Sequence, residues 1–406
     1  MRRLDPTTSI ILAGAIVLAI SFGARATFGV VLEPMSSTFG WPLATFSLSL
    51  AIQNMVWGLA QPVFGAIADR YGDRIALWIG LGFYVVGMVL SALGTLPWMQ
   101  HLGAGLLVGM GIAGTAFGIV LSVVGRAVPE ERRSMALGLT SALGAFGQVA
   151  MPLLAGWLTV GFGWQTTLIV MAALLLPIAL CIPRLTPRVG GTAGLIGADA
   201  EVALSTMLGR AARHPSYILL TIGFFVCGFH VAFMTAHLPT FVAEACNSVT
   251  LGATSLALIG LANVGGTLAA GRLGASYPKP YILSAIYALR AVVILVFITL
   301  PITPVSVIIF SLAIGVLWLS TVPLTSALVA GMFGPRALGT LYGIVFLGHQ
   351  VGSFLGVYLG GRLYDATGNY DLIWYAAIGL GVFSAIVHLP VREQAWQPSD
   401  AGMRAT

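Results

Sequence analysis

Long apolar stretches alternate with short polar segments along the whole chain. Each apolar stretch holds about 20 residues, the length that an α-helix needs to cross a hydrocarbon core roughly 30 Å thick. The pattern predicts twelve spans, which we number 1 to 12, at residues 9–32, 43–68, 75–94, 101–125, 134–158, 164–183, 216–241, 250–273, 281–300, 304–331, 339–363 and 370–390. We therefore predict an all-α membrane protein.

The pattern also repeats itself at an offset of about 205 residues. Arg25 of span 1 corresponds to His230 of span 7, and the glycines 23, 138, 147, 156 and 163 correspond to the glycines 228, 343, 352, 361 and 368. A duplication in parallel order predicts two pseudo-symmetric six-helix bundles. We assign residues 1–183 to the first bundle, 184–215 to a cytoplasmic linker, and 216–406 to the second bundle with a short cytoplasmic tail.

The composition supports a membrane protein and sets its orientation. Hydrophobic residues make up 58% of the chain and charged residues 8%, whereas soluble domains carry about 25% charged residues. Of the 19 Lys and Arg residues, sixteen fall in segments on one side of the predicted spans. The positive-inside rule then predicts a multi-pass protein of the cell (inner) membrane with both termini cytoplasmic. The net charge of +6 is explained by orientation, so we expect no nucleic-acid partner.

Several other kinds of site are not indicated. The three cysteines are far apart, and no His/Glu motif has the spacing of metal ligands, so we expect no metal and no cofactor. The N-terminus begins like a signal peptide, but its apolar run is long enough to span, and we interpret it as a retained helix. We expect a monomer in contact with membrane lipid.

The loop after span 2 carries a charged and glycine-rich segment, which we call the latch segment. It reads Gly65-Ala-Ile-Ala-Asp69-Arg70-Tyr-Gly72-Asp73-Arg74. Its charges can form ion pairs that hold one conformation, or the segment can be a plain charged turn. Its order resembles the G-x-x-x-D-R-x-G-x-R signature of the major facilitator superfamily, which implies the twelve-helix, two-bundle fold of that superfamily.

A stretch of span 1 resembles one particular group within that superfamily. The stretch Arg25-Ala-Thr-Phe-Gly-Val-Val-Leu-Glu33 resembles helix 1 of the monocarboxylate-porter group, which includes relatives of the oxalate/formate exchanger. Span 5 is rich in glycine, as in that group. The arginine that the group often carries in helix 8 is absent, because that stretch reads Asn263-Val-Gly-Gly-Thr267 here.

Arg25 is the first candidate for substrate binding. A charged side chain at the centre of a bilayer costs about 2.5–3.5 kcal/mol on insertion scales, so it normally faces protein or a wet cavity. No carboxylate is predicted at its depth, because Glu33 lies two turns away and Asp69 lies in a loop. We therefore expect Arg25 to bind an anion, with a buried structural arginine as the alternative. For Arg290 of span 9, binding of an anion and a structural role are equally supported.

Polar side chains of spans 2, 7, 8 and 11 complete the candidate site. Two pairs have a spacing of seven residues, which puts both members on one helical face: His230 with His237, and Tyr342 with His349. Neutral histidine can donate to a carboxylate, and protonated histidine can pair with it. The amides of Gln53, Asn54 and Asn263 can bind substrate hydroxyls or bond helix to helix, and Gln350 lies beside His349 in the candidate site. We expect Trp57, Trp318, Phe117 and Phe346 to be packing residues, one of which can form an apolar wall.

These residues predict a secondary active transporter of a small organic anion, a mono- or dicarboxylate, that works by alternating access. Proton symport is our first hypothesis, with anion exchange as the alternative. An exporter of neutral or drug-like compounds usually needs a carboxylate in the membrane, and a membrane enzyme needs a nucleophile–base pair or metal cluster. Neither is predicted, so we expect no catalytic residues. A further alternative is a receptor with this fold, which would bind its ligand specifically without transporting it.

Overall fold

A computed structural model describes residues 5–128, 130–186, 208–333 and 338–393. Every regular element in those ranges is helical. The helices are Pro6–Phe39 (span 1), Leu43–Tyr71 (span 2), Asp73–Leu93 (span 3), Pro97–Gln100, His101–Leu107, Val108–Thr115 and Phe117–Ala127 (span 4), Glu130–Ala145, Gly147–Leu175 and Pro177–Leu185 (spans 5 and 6), Pro215–Cys246 (span 7), Val249–Ser276 (span 8), Lys279–Thr299 (span 9), Pro304–Leu317 and Thr321–Phe333 (span 10), Leu338–Thr367 (span 11) and Asp371–His388 (span 12). Most of the predicted linker and tail lies outside the described residues.

Spans 5 and 6 form one continuous helical stretch that turns back on itself. Eleven helical stretches in the described ranges are long and apolar enough to cross a membrane, and one of them, Ala136–Leu185, has 50 residues. A straight helix of that length would be about 75 Å long. The backbone breaks at Gly163, where φ is 82°. The hydroxyls of Thr159 and Thr167, eight residues apart, lie 3.0 Å from each other. The stretch therefore crosses twice, and the predicted twelve spans are confirmed.

The duplication is visible in the backbone. Gly163 between spans 5 and 6 and Gly368 between spans 11 and 12 both have a positive φ, 82° and 74°. The helices of spans 1 and 7 end in the same way, at Gly40 with φ 63° and at Asn247 with φ 51°. Glycine and asparagine tolerate this left-handed region best. The same turn geometry therefore occurs at equivalent places in the two bundles.

The two bundles are in close contact over one part of their length. We call the end that holds residues 5 and 393 the termini end, and the opposite end the distal end. Towards the distal end, a Cβ on Gly29 would overlap the Thr235 carbonyl, and a Cβ on Gly361 would overlap Ser47. Glycine permits such approach of one helix to another because it has no side chain. The bundles are thus joined most tightly over their distal part.

The opposite part is more open. A Cβ built on Gly65 of span 2, or on Gly343 of span 11, would meet nothing within 4 Å. The contacts between spans 2 and 11 lie nearer the distal end, where Leu43 donates to Asp365 and Gly361 approaches Ser47. In this conformation the contact between the bundles therefore loosens towards the termini end.

Candidate functional site

Arg25 lies where the two bundles meet. Its Nη2 donates to Oδ1 of Asn54 at 2.6 Å, and its Cζ lies 5.4 Å from the centre of the Trp57 ring. Asn54 is held by a bond from its own Nδ2 to the Leu50 carbonyl at 2.8 Å, so its oxygen faces the guanidinium. The Nε of Arg25 is buried without a hydrogen-bond partner. Within the described ranges, the ion pairs are Asp73–Arg126 and Lys279–Glu393, and neither involves Arg25.

A small cavity adjoins the guanidinium. Its volume is about 10 Å³, and its walls include Arg25 and Gly29 of span 1, Asn54 of span 2, Thr235 of span 7 and Val357 of span 11. A single water needs about 10–15 Å³ of such space. Both bundles therefore contribute to the cavity, and in this conformation it has room for about one water molecule.

A row of rings connects Arg25 to the second bundle. The rings of Trp57 and Phe346 lie 5.3 Å apart, and the ring of Phe346 stacks on that of His349 at 5.5 Å and an interplanar angle of 10°. Gln61 accepts a hydrogen bond from the Trp57 indole at 3.0 Å. Two of the four aromatic residues expected to pack, Trp57 and Phe346, therefore also border the candidate site. Sequence reasoning missed Gln61, although its spacing of four residues from Trp57 was a usable signal.

Gln350 is the predicted residue with the least satisfied side chain. It is fully buried, and neither atom of its amide has a hydrogen-bond partner. Its Cβ and Cγ pack against Gly58, one helical turn from Asn54. A buried polar group left unpaired costs about 1–3 kcal/mol, so the amide is a candidate for binding a ligand. Tyr342 lies eight residues before Gln350, about two turns further towards the termini end, and is half-buried.

The imidazole of His230 bonds within the second bundle, whereas that of His237 also lies near the first, with its Nε2 3.5 Å from the Ser47 hydroxyl of span 2. The Nε2 of His230 donates to the Ala377 carbonyl of span 12 at 2.8 Å. The Nε2 of His237 donates to the Val357 carbonyl of span 11 at 2.8 Å, and its Nδ1 lies 3.2 Å from the Tyr370 hydroxyl. Both imidazoles are buried. The shared helical face that we predicted is therefore turned towards neighbouring helices in this conformation.

Arg290 and Asn263 meet at a break in span 10. The helix stops at Leu317 and resumes at Thr321. Arg290 donates to the carbonyls of Leu317, at 2.7 Å from Nη2, and of Trp318. The Asn263 oxygen accepts from the Leu319 backbone N–H at 2.9 Å. Two of the predicted site residues therefore satisfy backbone groups that a broken helix leaves free, and the structure does not bring them together with Arg25.

The latch segment is the end of the span 2 helix, which runs to Tyr71, followed by a tight turn at Gly72 and an ion pair. Gly72, with φ 96°, ends span 2 and begins span 3, and its N–H donates to the Ala68 carbonyl at 2.8 Å. Asp73 pairs with Arg126 of span 4 at 2.6 Å. Of the other charged residues, Arg70 lies with its Cζ 5.3 Å from the Tyr71 ring, and Arg74 is half-buried. The side chain of Asp69 lies outside the described part of the structure.

Comparisons with known proteins agree with this architecture. A family model described as "Major Facilitator Superfamily" matches residues 14–330. The chain is 26% identical over 387 residues to monocarboxylate transporter 13 of Bos taurus, covering 93% of this chain and 89% of that protein. It is 23% identical over 363 residues to the oxalate:formate antiporter of Oxalobacter formigenes, covering 87% and 84%.

The fold itself matches a solved structure. The crystal structure of a variant of the nucleoside transporter NupG superposes with a TM-score of 0.78 at 14% identity, covering 94% of this chain and 99% of that one. At that identity the likeness concerns the fold alone. Taken with the family match, it shows that the chain is a transporter, not an enzyme, and belongs to the major facilitator superfamily.

Proposed function

We propose that the protein is a secondary active transporter of a small organic anion, a mono- or dicarboxylate, and that it works by alternating access. The observation that carries the proposal is the state of Arg25. Its guanidinium lies between the bundles, bonded to the neutral Asn54, with its Nε buried and free. A cation in such a place needs an anion, and a carboxylate can bind the guanidinium fork through two parallel hydrogen bonds.

Other groups around Arg25 suit a small carboxylate. Trp57 and Phe346 offer an apolar surface for the body of the substrate, with ring centres 5.3 Å apart. Gln350 offers an unpaired amide that can donate or accept. Two relatives, a monocarboxylate transporter and an oxalate:formate antiporter, support the same substrate class.

For the coupling ion we propose a proton, with His349 as the residue that carries it. His349 stacks on Phe346, so it is linked to Arg25 through one row of rings. Its Nδ1 lies 3.4 Å from the Ser353 hydroxyl, one turn along the same helix. We further propose that His230, His237, Tyr342, Arg290 and Asn263 take part in another conformation of the cycle, when their present bonds are released.

Anion exchange is the second candidate. It is favoured by the absence of an acidic partner for Arg25 among the described residues, because a counter-anion can then occupy the guanidinium on the return step. An exporter of neutral or drug-like compounds is less well supported, because no carboxylate adjoins the cavity beside Arg25.

We propose the inner membrane as the location, with both termini cytoplasmic, as the distribution of Lys and Arg predicts. We also propose that the protein acts as a monomer made of the two bundles assigned from the sequence. Reporter fusions after Arg213 and at the C-terminus test the orientation, and both should give a cytoplasmic signal. A periplasmic signal at either point contradicts it.

Transport in proteoliposomes tests the function. We expect saturable uptake of at least one labelled acid from a panel of formate, acetate, lactate, pyruvate, oxalate and succinate. Stimulation by an acidic exterior indicates symport, and stimulation by unlabelled acid inside indicates exchange. Flux of neutral compounds alone, or specific binding without flux, contradicts the proposal.

Variants of Arg25 test the site. Arg25→Ala should abolish binding and uptake while the protein remains folded, and Arg25→Lys should restore only part, because an ammonium keeps the charge but not the planar fork. Arg362→Ala, which removes an exposed arginine of span 11, is the matched control and should transport normally. A folded Arg25→Ala variant with unchanged affinity for the acid would falsify the site.

A further inference from the structure

A second, larger cavity lies at the termini end of the second bundle. Its volume is about 570 Å³, and its walls come from residues 274–281, between spans 8 and 9, and from Val391, Arg392 and Glu393, which follow span 12. It is separate from the site at Arg25, since the two share no lining residue. The transport function described above does not require it.

Two apolar stripes on the outside of the bundle lead to this cavity. On span 9 the exposed residues Tyr281, Leu289, Val292 and Val296 recur at helical spacing. On span 12 the exposed apolar residues are Leu372, Tyr375, Val382, Phe383, Ile386 and Leu389. Exposed apolar faces of membrane helices contact acyl chains. Since spans 9 and 12 pack side by side, a lipid lying along them would have its headgroup at the cavity.

The charges of the cavity suit a phosphate group. The Lys279 ammonium pairs with Glu393 at 3.0 Å, so these two charges cancel. The backbone N–H of Arg392 donates to the Ser216 hydroxyl at 3.1 Å, which fixes the residue at the cavity wall. The described residues provide no ion-pair partner for its guanidinium. The three charges therefore leave a net charge of about +1 in the cavity.

Tyrosines mark the level of the membrane surface at the same place. Tyr277 and Tyr281 line the cavity, and they are 62% and 60% exposed. Tyrosine is enriched at membrane–water interfaces, where its ring is apolar and its hydroxyl is hydrated. The cavity therefore lies at headgroup depth.

The first bundle has a different arrangement at the equivalent place. Asp73 begins span 3 as Lys279 begins span 9, and it pairs with Arg126 at 2.6 Å. The start of the helix thus carries an acid in one bundle and a base in the other. The basic cavity is a property of the second bundle.

We propose that this cavity binds the phosphodiester headgroup of an anionic phospholipid, of the phosphatidylglycerol class. The Arg392 guanidinium pairs with the phosphate, the hydroxyls of Tyr277 and Tyr281 lie beside the headgroup, and the acyl chains lie along spans 9 and 12. The net charge of the cavity matches a headgroup with one negative charge. A zwitterionic headgroup brings an additional ammonium, for which Glu393 is already occupied by Lys279.

Native mass spectrometry of the delipidated full-length protein tests the proposal. We titrate phosphatidylglycerol, phosphatidylethanolamine and soluble glycerol phosphate separately. The wild-type protein should bind one phosphatidylglycerol molecule more tightly than phosphatidylethanolamine. Arg392→Gln should weaken that binding about fivefold, which corresponds to the ~1 kcal/mol that one basic side chain contributes at an anionic membrane surface. Arg362→Gln, at the distal end of span 11, is the matched control and should leave it unchanged.

Three results would overturn the proposal. One is equal binding of the two phospholipids, because the site then does not select the anionic headgroup. Another is unchanged phosphatidylglycerol binding by a folded Arg392→Gln variant. The third is displacement of the lipid by glycerol phosphate at millimolar concentration, because the cavity is then a site for soluble phosphate and the acyl chains contribute nothing.

Discussion

The carboxylate of Asp365, in the second bundle, caps the helix that begins at Leu43, in the first. One oxygen of Asp365 accepts the Leu43 backbone N–H at 2.8 Å, and the other accepts that of Ala44 at 2.8 Å. The residue before the helix is Pro42, whose side chain makes no capping bond. A group that span 2 needs for its first turn is therefore supplied by the opposite bundle, which stabilises the closed distal end.

Asp365→Asn should weaken that closure. An amide has one acceptor oxygen and no negative charge, so one backbone bond and the favourable interaction with the helix dipole are lost, about 1–2 kcal/mol together. Hydrogen exchange measured by mass spectrometry should become faster at the amides of residues 43–47. Asp371→Asn, also at the distal end, is the control, and it should leave this segment unchanged. Unaltered protection in Asp365→Asn contradicts the capping role.

Arg290→Met should destabilise the protein. The substitution leaves the carbonyls of Leu317 and Trp318 without the donor that they now have, and each buried unpaired group costs about 1–3 kcal/mol. The midpoint of thermal unfolding in detergent should fall by several degrees, whereas Arg362→Met should leave it unchanged. A variant of normal stability that has lost substrate binding would instead assign Arg290 to the substrate.

Gln350→Leu should separate stability from transport. It replaces a fully buried amide whose two polar atoms have no partner, so the unfolding midpoint should stay the same or rise. If the amide binds the substrate, the KM for uptake should rise about tenfold. Gln53→Leu is the matched control, because the Gln53 amide donates to the Ala104 carbonyl at 2.8 Å, and this variant should lose stability. Normal uptake by Gln350→Leu removes Gln350 from the site.

Gly29→Ala should impair transport by holding the distal end apart. An added methyl would overlap the Thr235 carbonyl, which is backbone and cannot move without shifting span 7. Uptake should fall at least tenfold, and residues 43–47 should exchange hydrogen faster. Gly138→Ala is the control, because nothing lies within 4 Å of the added methyl. Wild-type rates in Gly29→Ala would mean that the distal contact opens and closes without this close approach.

The fold could be predicted from the sequence because membrane-spanning helices can be recognised by the length and hydropathy of their apolar stretches. The spacing of glycines gave the duplication, and Gly163 and Gly368 have the turn geometry that the offset implies. The break in span 10 was not predicted. It lies within an apolar run, and the groups that satisfy its free backbone come from Asn263 and Arg290, distant in the chain.

The candidate site was predictable only in part. An arginine in an apolar helix is conspicuous, so Arg25 could be singled out, and Asn54 was found with it. Helical spacing predicted the shared face of His230 and His237 but not the helices that this face meets. In the structure these are spans 11 and 12, and span 2 at Ser47. Asp365 could not have been found, because its partners lie more than 300 residues away and are backbone groups.

The cavity at Arg25, with its volume of about 10 Å³, has a consequence for measured affinity. Even formate is larger than one water molecule, so this conformation cannot hold an organic acid beside the guanidinium. On the proposed function, the acid binds a conformer with a larger cavity, and its apparent Kd is the intrinsic Kd divided by the fraction of molecules in that conformer. Conditions that trap the compact conformer should therefore weaken apparent binding without any change in the residues that contact the acid. An inhibitor that fits a smaller cavity than the substrate does would bind a more populated conformer, and its apparent affinity would therefore be higher.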